Sequence, residues 1–75
     1  MTEIYGKDNS ETREKIESAM SVENEIVVYS TYETFYGIAM GRWISELCDA
    51  NGWNCECIES GCFYDGESAW RISKI

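Results

Sequence analysis

The segment that most limits the fold is Ile26-Val27-Val28, at the centre of Glu25-Ile26-Val27-Val28-Tyr29-Ser30. Consecutive β-branched side chains are restricted at χ1 and favour a pleated strand over a helix. The run is apolar on both alternations, so neither face of the strand suits water, and a central position in a sheet is expected. A central strand needs neighbours on both edges, which the rest of the chain must supply.

One neighbour is expected from a hairpin. Trp53-Asn54-Cys55-Glu56-Cys57-Ile58-Glu59 reads as a strand, Tyr64-Asp65-Gly66-Glu67 carries a two-residue turn signal, and Ser68 to Lys74 reads as the returning strand. Strict pairing about Asp65-Gly66 sets Glu59 opposite Ile72. A bulge at Ser60-Gly61 instead aligns Ile58 with Ile72 and Glu59 with Arg71, two better cross-strand pairs, and is the register expected. Thr2-Glu3-Ile4-Tyr5 reads as a short strand or a frayed end.

Two helices complete the pattern. Asp8-Asn9-Ser10 offers N-caps, with Glu11 three residues after Asp8, for a helix from Ser10 to about Met20. Its apolar stripe is thin: Ile16, Ala19 and Met20. Ser30-Thr31-Tyr32-Glu33 forms an S-x-x-E box that would open a second helix, running to about Ala50 and stopped by Asn51-Gly52. On that helix Tyr36, Ala39, Met40, Trp43, Ile44, Leu47 and Ala50 fall on one core-facing arc, and Gly37 and Gly41 are spaced for a close approach. The expected fold class is α+β: a small αβαββ domain over residues 1–75, with an antiparallel hairpin, one central strand and two helices packed on the sheet, and with an optional first strand.

Composition narrows function. Fourteen Asp and Glu against six Lys and Arg give a net charge of −8, which opposes direct binding of phosphate backbones. The deficit is spread evenly, three bases against seven acids on each side of Ile26, −4 apiece, so no acidic tail exists. Hydrophobic residues at 44% and aromatics at 13% exclude a disordered acidic segment. No run of 18 apolar residues or secretory signal is present, and a reducing cytoplasmic setting is expected.

The chemistry-bearing residues are few. The chain has no His, and Ser30, Thr31 and Thr34 have no base beside them; no phosphate-binding loop or metalloprotease motif occurs. Neither an enzyme nor a cofactor is expected. Cys48, Cys55, Cys57 and Cys62 are separated by six, one and four residues, unlike the C-x-x-C knuckles of structural zinc sites. Alternation sets Cys55 and Cys57 on one strand face, so structural thiols are expected, with a disulfide (Cys48 to Cys62 among the pairings) or a four-Cys metal or redox site as alternatives.

Two surface features suit a protein partner. Glu11, Glu14 and Glu17 line one side of the first helix at a spacing that resembles successive phosphates, although Arg13 and Lys15 interrupt it and plain solvation is the competing reading. Phe35, Ile38 and Arg42 lie opposite the core arc of the second helix, with Tyr32 alongside, a composition typical of interaction hot spots.

In length, acidity and lack of catalytic motifs the chain resembles small phage-encoded inhibitors, including anti-CRISPR and other anti-defence proteins. The features that carry this resemblance are the acidic helix from Asp8 to Glu17 and the Phe35/Ile38/Arg42 ridge. It implies an inhibitor that blocks a basic groove or subunit contact of a nucleic-acid-binding machine, in places imitating nucleic acid, and working in the cytoplasm of the host cell. It transfers no individual functional residue. The competing reading from the same ridge is a self-associating module, a homodimer built on Phe35.

Overall fold

The computed structural model describes residues 2–30, 37–59 and 68–75; the side chains of residues 37–39 and 59 fall outside that description. The elements run β1 (Thr2–Gly6), α1 (Ser10–Val22), β2 (Glu25–Ser30), α2 (Gly37–Asn51), β3 (Trp53–Glu59) and β4 (Ala69–Lys74). The strands form a four-stranded mixed sheet in the order β1-β2-β4-β3. This is the α+β arrangement expected, with the optional first strand present.

β2 occupies the central position that its β-branched run requires. β1 pairs with it in parallel, Ile4 opposite Val28, and β4 pairs antiparallel, Ile26 opposite Ile72 and Val28 opposite Trp70. Parallel neighbours need a crossover, and α1 provides it. The helix starts from Asn9, one of the three caps expected, whose Oδ1 accepts the Thr12 N–H at 2.9 Å, so the capping pair is Asn9 with Thr12 and not Asp8 with Glu11. Thr12, Ile16 and Met20, each four residues apart, form its buried stripe.

α2 buries Met40, Ile44, Leu47 and Cys48, with Trp43 partly covered. Ala50, expected on the core arc, is exposed. It lies at the outer edge of the arc and in the last turn, while Cys48, at the opposite edge, faces the sheet. The helix stops at Asn51, and Gly52 takes the left-handed conformation (φ 72°) that the Asn-Gly pair favours. Tyr36 lies outside the described residues, as does the side chain of Ala39. Of the expected Ser30–Glu33 box, Glu33 lies outside them; Ser30 closes β2, and its hydroxyl accepts the Ser68 N–H at 2.8 Å.

The β3–β4 register differs from the one expected. Cys55 faces Ile72, Glu56 faces Arg71 and Cys57 faces Trp70, with the bulge between Cys57 and Glu59. Ile58 therefore does not pair with Ile72. The cause lies at the α2 end: the helix stops at Asn51, Gly52 turns the chain and β3 starts at Trp53 opposite Lys74, which sets Cys55 opposite Ile72 and Glu56 beside Arg71. Glu59 pairs with Ala69, and the Asp65-Gly66 turn expected between the strands lies outside the described residues.

Ile4, Ile26, Val28, Trp70 and Ile72 share one sheet face and form a single core with Ile16 and Met20 of α1 and Met40, Ile44, Leu47 and Cys48 of α2. Both helices thus cover the same side, α1 over β1 and β2 and α2 over β3. Among the described residues no helix is long and apolar enough to cross a membrane.

Candidate protein-interaction surfaces

The acidic row of α1 is solvent-facing but largely compensated. Glu11 and Glu14 are exposed and Glu17 half-buried. Lys15 Nζ lies 3.6 Å from Glu11 Oε1 and Arg13 Nε 3.6 Å from Glu17 Oε2, both at helical i,i+4 spacing, leaving Glu14 outside the two pairs. Such exposed pairs add only ~0.3–0.5 kcal/mol each, yet they cancel charge locally. On α2 the structure exposes Arg42 together with Ser45, Glu46 and Asp49. Tyr32 and Phe35 lie outside the described residues, as does the side chain of Ile38.

Three cysteines fall within the description: Cys48 is a buried free thiol, Cys55 an exposed one, and Cys57 is exposed. Cys62 lies outside it. The Cys48 thiol donates a hydrogen bond to the Cys55 sulfur, joining the end of α2 to edge strand β3. Burial, reinforced by the neighbouring Cys55, pushes Cys48 up from 9.0 to about 12, and burial also raises Cys55. Among the described residues no three His, Cys, Asp or Glu side chains converge to hold a metal ion.

The Cys48 shift has a consequence for stability. An unfolded thiol ionises near its ordinary value of 9.0, whereas the native one keeps its proton until about 12. Through that window the unfolded state binds fewer protons than the native state, so stability falls as pH rises. Urea titrations from pH 8 to 11 are expected to show a steeper decline for the native sequence than for Cys48→Ala; parallel curves would show that Cys48 does not contribute.

Among the described residues, no helix lies on the opposite face of the sheet. Its side chains, read across the strands, are Tyr5, Tyr29 and Ala69; then Glu3, Val27, Arg71 and Glu56; then Glu25, Ser73 and Asn54. Tyr5 stacks on Tyr29 with ring centroids 4.7 Å apart and planes 10° from parallel. Tyr29 Oη donates to Glu3 Oε2 at 2.9 Å. Arg71 is held between two carboxylates, Nε 3.6 Å from Glu25 and Nη1 3.7 Å from Glu56. Tyr5 is 60% exposed, whereas Val27 beneath its neighbours is only 6% exposed.

No family model, curated protein or solved structure matches the chain.

This face was not anticipated from sequence. Its two tyrosines come from strands 24 positions apart in register, Tyr5 opposite Tyr29. The available signal was the matched alternation Glu3-x-Tyr5 and Val27-x-Tyr29, which requires β1 to be a strand and its pairing to be parallel. The face is also where acid from the two halves of the chain meets: Glu3 and Glu25 precede Ile26, Glu56 follows it, and Arg71 bridges Glu25 to Glu56. α1 covers β1 and β2, toward the edge of the sheet farthest from β3.

Proposed function

We propose that the chain is a non-enzymatic, protein-binding inhibitor that docks on a basic surface of a nucleic-acid-processing complex of the kind used in CRISPR-type defence. The observation that carries this reading is the state of the cations. Arg13, Lys15 and Arg71, half of the six Lys and Arg, are already engaged by carboxylates of the same chain. Each pair cancels a carboxylate as well, so what faces outward is the field of the excess acid: Glu11, Glu14 and Glu17 against Arg13 and Lys15 on α1, and Glu3, Glu25 and Glu56 against Arg71 on the sheet face. Such a field speeds encounter with a positive groove by ~10–1000-fold at low salt. Arg42, exposed on α2, adds a polar anchor.

Replacing Glu11, Glu14 and Glu17 together by Lys tests the reading, because it moves the net charge from −8 to −2 without touching a core residue. Stopped-flow association with a candidate target complex is expected to slow at least about tenfold at low ionic strength, with inhibition lost. Unchanged association and full inhibition by the reversed variant would remove α1 from the docking surface.

A further inference from the structure

We infer that the helix-free sheet face seats an arginine-bearing segment of a protein partner, its guanidinium lying on Tyr5 and bonded to Glu3. The inference rests on the protein-binding reading above for the nature of the partner, and it names the chemistry recognised. One ring face of Tyr5 is covered by Tyr29, yet the residue is 60% exposed on an edge strand, so the opposite ring face is open. Glu3 stands two positions away on the same face of β1, about 6.6 Å along the strand. One Glu3 oxygen accepts from Tyr29 Oη, which holds the carboxylate beside the stacked rings and leaves its second oxygen for a ligand. An aromatic face with an adjacent carboxylate matches a planar guanidinium, which stacks and donates through a fork of N–H groups.

Charge decides against the other chemistry that aromatic sheet faces serve. Tyrosines on a four-stranded sheet can stack the bases of single-stranded nucleic acid, but that mode also needs cations for the phosphates. Here Glu3, Glu25 and Glu56 share the face with Arg71, and Arg71 lies between two of them. A polyanion would meet carboxylates, whereas a basic segment meets them with complementary charge. Lysine fits less well, because an ammonium gains no stacking on Tyr5.

The test uses the full chain labelled with nitrogen-15 and three probes: a capped Gly-Arg-Gly-Arg-Gly peptide, its lysine counterpart and a single-stranded oligothymidine. With the arginine peptide, amide shifts are expected to cluster at Glu3, Tyr5 and Tyr29. Tyr5→Ala and Glu3→Gln should each weaken its Kd by about three- to tenfold, with Tyr5→Phe close to the native chain. Both residues are solvent-facing, and unchanged far-UV circular dichroism will show that each variant folds. Four results would overturn the inference: shifts centred on α1 or spread evenly, a Tyr5→Ala variant that binds as well, a lysine peptide that binds as tightly, or tighter binding of the oligonucleotide. None of these probes needs the biological target. Failure here leaves the charge-reversal result on α1 standing, and a negative charge-reversal result leaves this one standing.

Discussion

Trp70→Ala is expected to leave the chain largely unfolded in water at 25 °C. Trp70 sits on β4, the strand between β2 and β3, with Val28 and Cys57 as its cross-strand partners. It is 5% exposed and belongs to the core shared by both helices. Its indole lies under α2, 3.5 Å from where a Cβ on Gly41 would stand. Truncating such a side chain costs about 3–5 kcal/mol, through lost burial and the cavity left behind. At roughly 0.05–0.15 kcal/mol per residue, a chain of this length has only about 4–11 kcal/mol in total. The loss therefore consumes much or all of the stability. Urea unfolding followed by far-UV circular dichroism will show whether a folded baseline survives. Trp70→Phe, which keeps a ring against Gly41, is expected to retain a cooperative transition at lower urea. A Trp70→Ala chain within about 1 kcal/mol of the native one would mean that the two helices are not held through this residue.

The contrast between Trp70 and Tyr29 shows what sequence carried and what it did not. Local rules sufficed where neighbours decide: the β-branched run located β2 as a central strand, and Asn51-Gly52 located the end of α2. They failed where the decision is made across the sheet. The β3–β4 register is set at the far end of the strand, where α2 stops and Trp53 falls opposite Lys74, so Cys55 lies opposite Ile72 whatever the Asp65-Gly66 signal suggests. The same holds for Cys48, whose place facing β3 comes from packing and not from the periodicity that favoured Ala50. Glu11, Glu14 and Arg42 were legible as exposed positions, because a helix presents its polar side by spacing alone. The tyrosine face was not, because its geometry exists only once α1 carries β2 back parallel to β1.

The same substitution at two glycines is expected to act in opposite directions. At Gly6, the last residue of β1, an added Cβ would fall 2.8 Å from Thr12 Cγ2 and closer still to its hydroxyl. Thr12 cannot simply move away: it is buried, its hydroxyl accepts the Lys7 N–H at 3.1 Å, and its own N–H is fixed by the Asn9 cap. Gly6→Ala therefore wedges β1 from the first turn of α1, at a cost of about 1–3 kcal/mol or slightly more. At Gly41, inside α2, the added Cβ would meet Trp70 at 3.5 Å, an ordinary contact. There the methyl packs on the indole and replaces a helix-interior glycine, so Gly41→Ala should stabilise by about 0.5–1 kcal/mol. Adding Thr12→Ala to Gly6→Ala separates crowding from backbone effects. If crowding is the cause, Gly6→Ala will cost much less in a Thr12→Ala background than in the native one, a coupling between the two sites that denaturant midpoints can resolve. A Gly6→Ala cost that is the same in both backgrounds would place the fault in the strand itself and leave the β1–α1 contact without a structural role.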